Sequence, residues 1–325
     1  MLKVSVVVPT CGRPQLLRDC LRSLAKQDLD DGAFEIIVVD DGSPPATQAA
    51  NAAVVQRLAH ARPGLALHYV WCARNRGPAA ARNTGWRKAA APVVAFTDDD
   101  TRPLRDWLRV GLAAIEGCDA VAGRIVVPVS EQPTDYERDT AGLADASFVT
   151  ANAFVRKAAL AAVGGFDERY RIAWREDADL EFALRERGLD IGRAMDAVVV
   201  HPIRPAPWGV SIRQQRKVVF DALLYKKHPA SYRRDIRPHP PWHYYAAVLA
   251  LLLAGLAAWR GSTPGVLAGV TVWTGVTVWF TWVRLRTTRR SLSHVLEMAA
   301  TSALIPPVSL FWRAIGAWRF RVAFF

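Results

Sequence analysis

An α/β domain built on a parallel sheet, followed by a helical membrane region, is the architecture this sequence predicts, and three observations predict it. Apolar strands alternate with helical patterns through roughly the first 200 residues, several of those strands end on polar or acidic runs, and two long uncharged apolar stretches follow. The charge divides at the same place. Residues 1–200 hold 25 Lys and Arg against 27 Asp and Glu, whereas residues 201–325 hold 17 against 3, so the net charge of +12 resides in the C-terminal part. Basic residues beside uncharged apolar runs point to an anionic membrane surface rather than to nucleic acid.

Residues 4–8 are a β-branched run stopped at Pro9 and Thr10, and Leu16, Leu17, Cys20, Leu21 and Leu24 recur at helical spacing after it. Residues 34–39 form a continuous apolar strand, as in a sheet covered on both faces, and end on Asp40-Asp41-Gly42-Ser43. A helix over 46–59, a strand over 68–71, a helix over 82–90 and a buried strand over 92–96 continue the alternation, and the last ends on Asp98-Asp99-Asp100. A strand over 121–127, a polar loop over 130–146 and apolar segments over 148–155 come next. A helix carrying Leu180, Ala183 and Leu184 starts at Glu176-Asp177 and stops at Gly188, and a strand over 197–200 delivers His201. Ligands of such sheets bind beyond the carboxyl ends of the strands, so Thr10, Asp41 and the Asp98 to Asp100 run are expected in one crevice.

The N-terminus, MLKVSVVVPT, has too short an apolar run for a signal peptide, which leads us to expect a cytoplasmic domain. Cys11, Cys20, Cys72 and Cys118 have neither zinc-ligand nor disulfide-framework spacing. Residues 242–259 and 261–283 are each close to the roughly 20 apolar residues a bilayer requires, with Trp242, Tyr244, Tyr245, Trp259, Trp279, Phe280 and Trp282 toward their ends. A third apolar segment is interrupted by Glu297, and Pro306-Pro307 is expected to break its helix. Two crossings place Arg284, Arg286, Arg289 and Arg290 inside; a third would strand Arg313, Arg319 and Arg321 outside. The expectation is two spans, then short interfacial or re-entrant helices over 291–320 with Phe311, Trp312, Trp318 and Phe320 at the acyl boundary.

Three carboxylates in series at a buried strand end concentrate repulsion that a divalent cation offsets, and such a cation bridges diphosphate oxygens. The simpler reading, a helix cap, needs only one Asp. The stretch from Arg74 to Gly85 combines a glycine turn, small residues and Arg82, a candidate for phosphate or base-edge contact. Glu176 and Asp177 sit in the first turn of a helix, following Trp174 beyond the strand ends, where an acceptor approaches and a general base works.

VSVVVPTCGRP, FEIIVVDDGS, RNRGPAAARNTGW, VVAFTDDDTRP, VGGFDE and WREDADLEFALRERG together resemble the motif blocks of family 2 glycosyltransferases of the GT-A fold, in order and at family-like spacing. The resemblance implies a Rossmann-like nucleotide-diphospho-sugar transferase domain over 1–205, a basic interfacial linker over 206–240 and a membrane region over 241–325. It implies an inverting transfer from a nucleotide sugar with Mg²⁺ or Mn²⁺, and the membrane segments on the same chain lead us to expect a lipid-linked or glycan acceptor at the inner face of the cytoplasmic membrane. By motif, Pro9, Thr10, Asp41 and Arg82 belong to the nucleoside site and Asp98 to the nucleotide and sugar. Asp100 and His201 are the metal ligands, Asp99 stays unassigned between these roles, Asp177 is the base, and Trp174 and Glu176 lie on the acceptor side.

Cys11-Gly12 stand where the family often has an aromatic and an Asn, and Arg213-Gln214-Gln215-Arg216-Lys217 lacks the Trp of the processive QxxRW signature, which favours single addition. A nucleotidyltransferase would carry a GxGTR-like loop after the first strand and a dehydrogenase GxGxxG; neither is present. A non-catalytic sugar-nucleotide binding protein would lose acidic-loop or ED carboxylates, and all are kept.

Overall fold

The computed structural model describes residues 1–324; Phe325, which closes the expected membrane region, lies outside the described residues. The chain forms two compact units, Met1–Pro128 with Gly142–Ile203, and Val129–Ala141 with Arg204–Phe325.

In the first unit β1 (Val4–Thr10) is followed by α1 (Pro14–Leu24), β2 (Phe34–Asp41), α2 (Pro45–Ala61), β3 (Ala66–Cys72), α3 (Pro78–Lys88) and β4 (Val93–Phe96). Proline in the first turn starts α1, α2 and α3, where its missing N–H has no intrahelical partner to lose. β1 and β2 are buried along their whole length, as their unbroken apolar runs require in a sheet covered on both faces. β1 runs parallel to both β2 (Val4 beside Phe34) and β4 (Val4 beside Val93), and β2 runs parallel to β3. The β1–β4 ladder ends at Val7 beside Phe96, so Pro9 removes no bond to β4.

The second half departs from strict alternation. A two-residue β5 (Arg102–Pro103) and α4 (Trp107–Ala114) precede β6 (Ala120–Val126), and after an excursion the chain returns as β7 (Ala153–Arg156), α6 (Lys157–Val163), α7 (Glu176–Glu186) and β8 (Ile191–Val200). β7 is antiparallel to β4 and β6, β8 is parallel to β6, and β5 is antiparallel to β8, giving an eight-stranded mixed sheet in the order β3-β2-β1-β4-β7-β6-β8-β5. Two antiparallel steps restore direction, so β8 ends at the same side as β1, β2 and β4. The pairing of Arg102 with Val200 ties the residues after the acidic run to the strand that ends at His201.

In the second unit the expected polar loop contains α5 (Asp135–Ala141). Beyond it come α8 (Val210–Gln214), α9 (Val219–Lys227), the single turn α10 (Pro229–Ser231), α11 (Trp242–Trp259), α12 (Thr263–Leu285) and α13 (Leu292–Phe320). Among the described residues three helices, α11, α12 and α13, are long and apolar enough to cross a membrane by length and composition, consistent with transmembrane segments of a multi-pass protein.

The break expected at Pro306-Pro307 is not there: α13 is one 29-residue helix with both prolines inside. An interior proline costs about 3 kcal/mol in lost bonding and clash. Here His294, Met298, Thr301, Ser302, Ile305, Ser309, Arg313, Gly316 and Phe320 form one buried stripe at helical spacing that passes through the prolines and holds both halves in register. Phe320 also differs from expectation. It is buried against Phe220 of α9 (centroids 6.4 Å apart), whereas Phe311 and Trp318 are exposed.

Candidate active site

Strand alternation decides which way each acid of the first run faces, because Asp40 and Asp41 both lie in β2. Asp40 turns into the sheet's cover, accepting the Ser43 N–H (2.9 Å), Asn51 Nδ2 (2.8 Å) and the Tyr69 hydroxyl (2.6 Å). Asp41 points the other way and accepts the N–H groups of Arg76 (2.9 Å) and Gly77 (2.7 Å), fastening the loop before α3. Burial raises its pKa and those two N–H groups oppose the shift. Gly77 has φ +93°, and a Cβ there would lie 2.7 Å from the Arg171 backbone, so the turn demands glycine.

The acidic run splits too, here through the turn that follows β4. Asp99 accepts the Thr10 hydroxyl (2.6 Å) and pairs with Arg13 (2.8 Å); burial pushes its carboxyl up to about 7 against the pull of Arg13. Asp98 and Asp100 face His201, and one ligand atom from each of the three lies within 4.8 Å of the others. His201 Nε2 is 3.6 Å from Asp100 Oδ1, while its Nδ1 is buried with no hydrogen-bond partner. A buried ring nitrogen without a partner is costly unless something else occupies its lone pair, and two carboxylates with an imidazole make a donor set for a divalent cation. The residues present therefore fit a metal ion.

Arg82 connects this cluster to the start of α7. Its side chain is 3% exposed; Nη2 donates to Asp98 Oδ1 (2.8 Å), Nη1 donates to Glu176 Oε1 (3.1 Å), and Asp177 Oδ1 is 4.0 Å away. Although burial disfavours its charge, Asp98, Asp177 and Glu176 together hold the guanidinium protonated. Asp98 answers in kind: burial pushes its pKa up, but Arg82 brings it below the ordinary value. In the structure Arg82 engages carboxylates instead of standing exposed on its helix.

Glu176 and Asp177 have different surroundings. Glu176 is 3% exposed and doubly held, by Arg82 and by the Trp174 N–H on Oε2 (2.6 Å); burial, then Asp177, raises its pKa to about 7. Asp177 is less buried, and the Thr150 hydroxyl donates to its Oδ1. Burial raises its pKa as well, with Arg82 and Thr150 opposing. Arg175, between Trp174 and Glu176, has φ +75° and stacks its guanidinium 4.4 Å from the Trp174 ring centroid. A non-glycine residue held there is strained, which accompanies functional turns.

Sequence reasoning missed Thr150 and Arg13. Thr150 closes the turn before β7, whose Ala153 pairs with Phe96 at the end of β4, and that pairing brings it to the acidic crevice. Its signal is tertiary. Arg13 sits in the GRP turn after β1, where only the fold reveals its pairing with Asp99.

Residues 5–167 match glycosyl transferase family 2, and residues 93–314 match glycosyl transferase family group 2. The chain belongs to glycosyl transferase family 2. This transferase is 26% identical to the glycosyltransferase AglE of Haloferax volcanii over 230 residues, covering 66% of the chain and 71% of the relative. It is 32% identical over 220 residues to the pre-mycofactocin glycosyltransferase of Mycobacterium tuberculosis, covering 62% of the chain but only 43% of that relative. Its fold is similar to that of the mannosyltransferase PcManGT of Pyrobaculum calidifontis in complex with GDP-Man and Mn²⁺, with TM-score 0.59, 22% identity, and coverage of 92% of this chain and 86% of the other. The family establishes a membrane-associated glycosyltransferase that uses a nucleotide-sugar donor.

Proposed function

We propose that this glycosyltransferase works by a single displacement with inversion, passing the sugar of a nucleoside diphosphate to the hydroxyl of a lipid-linked or glycan acceptor at the cytoplasmic face of the inner membrane. The observation that supports it most is the Arg82 bridge, which joins the metal-type cluster to the two carboxylates that start α7. Asp98, Asp100 and His201 would hold Mg²⁺ or Mn²⁺, which when bound supplies positive charge to a leaving diphosphate. Asp177 takes the acceptor proton while the acceptor oxygen bonds to the anomeric carbon and the bond from that carbon to the diphosphate breaks. Glu176, already engaged on both oxygens, orients Arg82. Pro9, Thr10 and Asp41, at the ends of β1 and β2, line the nucleoside side, and Trp174 the acceptor side. An acceptor anchored in lipid accords with catalytic and membrane segments carried on one chain. A panel of nucleotide sugars, read by nucleoside diphosphate release with and without extracted membrane lipids, tests the reading; release that lipids never stimulate counts against a lipid-linked acceptor.

The topology belongs to the same reading: α11 and α12 cross, and α13 lies in the cytoplasmic interface. At about 1.5 Å per residue α12 spans roughly 35 Å, enough for a hydrocarbon core of about 30 Å. α13 is long enough too, yet its buried stripe lies along a basic partner. Gly316 approaches Val219 and Ala222 so closely that a Cβ would sit 2.8 Å from the Val219 carbonyl oxygen. Lys226 donates to the Phe320 carbonyl (2.7 Å), and Glu297 accepts the Gly209 N–H (2.7 Å). A transmembrane α13 would carry α9 and its lysines into hydrocarbon, at a cost of about 2.5–3.5 kcal/mol per central charge. A cysteine placed at the exposed Ala323 is expected to resist an impermeant thiol reagent in sealed cells and to react after permeabilisation; labelling from outside would establish a third crossing.

A further inference from the structure

The connection between β6 and β7 is bonded to catalytic residues at both ends. At its start the Val126 carbonyl accepts the His201 N–H (2.9 Å); at its finish the Thr150 hydroxyl donates to Asp177. Between these points the chain leaves the first unit after Pro128, contributes Val129–Ala141 to the second, and re-enters the first at Gly142.

That middle segment is firmly built. Thr134 and Glu137 form a reciprocal capping box, the Glu137 N–H donating to Thr134 Oγ1 (3.1 Å) and the Thr134 N–H to Glu137 Oε2 (2.6 Å), which starts α5 at Asp135. Asp135 then receives a bidentate pair from Arg284 in the last turn of α12, Nη2 to Oδ2 at 2.5 Å and Nε to Oδ1 at 3.2 Å. The Arg284 side chain is 8% exposed, and it also donates to Thr301 Oγ1 (2.7 Å), Ser302 Oγ (3.1 Å) and Ser211 Oγ (3.2 Å). These five bonds use all five donors of a guanidinium. No donor is left for a phosphate or headgroup, which argues against a ligand site and for a fastening. The Arg289 N–H adds a bond to the Pro133 carbonyl (2.9 Å).

We propose that Asp135 and Arg284 are positioning residues for glycosyl transfer: by holding Val129–Ala141 in one conformation within the second unit, they set the span of chain between Pro128 and Gly142 and, through the chain itself, the two ends of the β6–β7 connection that bond to His201 and Asp177. The inference rests on the transferase reading above for the identity of the base and the metal ligand. A bidentate, buried Arg–carboxylate pair is suited to this because it fixes direction as well as distance, unlike an exposed pair whose geometry drifts.

The test uses the full chain in nanodiscs of phosphatidylethanolamine and phosphatidylglycerol, with the nucleotide sugar that the wild type turns over fastest and water as acceptor. Misplacement of a base by about 1 Å costs up to ~100-fold in rate, so Arg284→Ala is expected to lower kcat by ~10-fold or more with donor KM within ~2-fold. Hydrogen exchange over residues 127–150 should quicken in the same variant. Arg284→Lys keeps the charge without the bidentate geometry and should fall between, and Arg286→Ala, two residues on, should match the wild type. If Arg284→Ala does not fold, Asp135→Asn carries the same expectation at smaller size. Unchanged kcat with unchanged exchange, or a loss confined to donor KM, overturns the proposal. A wild type that releases no nucleoside diphosphate from any donor overturns the transferase reading instead, and the exchange measurement still decides the fastening.

Discussion

Asp100→Ala is expected to lower glycosyl transfer by on the order of 10³-fold, and EDTA should do the same to the unaltered protein. Metal-borne charge on a leaving diphosphate contributes several kcal/mol, and each 1.36 kcal/mol is tenfold in rate. Asp100 is a buried member of the Asp98, Asp100 and His201 cluster, so its removal leaves two ligand atoms of three. The same change should leave the metal-free fold intact, because it takes one carboxylate out of a group that repels itself. A metal-binding residue predicts a particular pairing of results: unchanged melting without metal, and loss of the melting increase that Mn²⁺ gives the wild type. Wild-type turnover in the variant, or in EDTA, would remove the metal from the mechanism.

The sheet and the crevice were legible because each rests on local pattern. Unbroken apolar runs at Val6 to Val8 and Ile36 to Val39 announce strands buried on both faces, and the acids after them announce strand ends. Within each acidic run the sequence could not say which residue faces the crevice, since Asp40 and Asp41, or Asp98, Asp99 and Asp100, are chemically alike. The fold separates them: alternation in β2 turns Asp40 into the sheet's cover and Asp41 toward the loop before α3, while in the turn after β4 Asp99 meets Thr10 and Arg13 and leaves Asp98 and Asp100 facing His201. The resemblance placed Asp98 on the nucleotide and sugar, while the fold puts it in the cluster with Asp100 and His201 as well. Contacts across long separations were out of reach. Thr150 meets Asp177, and Asp135 meets Arg284 some 149 positions away, through pairings that no periodicity encodes. The helix through Pro306-Pro307 was misjudged because a local rule was applied where a long buried stripe prevails.

Asp177→Asn is expected to lower turnover by ~10²- to 10⁴-fold, the range that a positioned general base contributes, with nucleotide-sugar affinity kept within about twofold. The amide is the same size and still accepts from Thr150 on its oxygen, so the ground-state contacts remain while proton acceptance is lost. Glu176 is the competing candidate, and the geometry separates the two. Its oxygens are engaged by Arg82 and by the Trp174 N–H, and it is more deeply buried than Asp177. The pH dependence gives a second check. Burial raises the Asp177 pKa, so the wild-type rate should climb with pH through a value above the ordinary aspartate range as the carboxylate ionises. The asparagine variant should lack that limb and keep only what other groups impose. Glu176→Gln should retain the limb, displaced downward, because it removes a neighbouring negative charge while leaving the base in place. If instead Glu176→Gln abolishes the limb and Asp177→Asn keeps it, the base is Glu176 and Asp177 serves to orient Arg82.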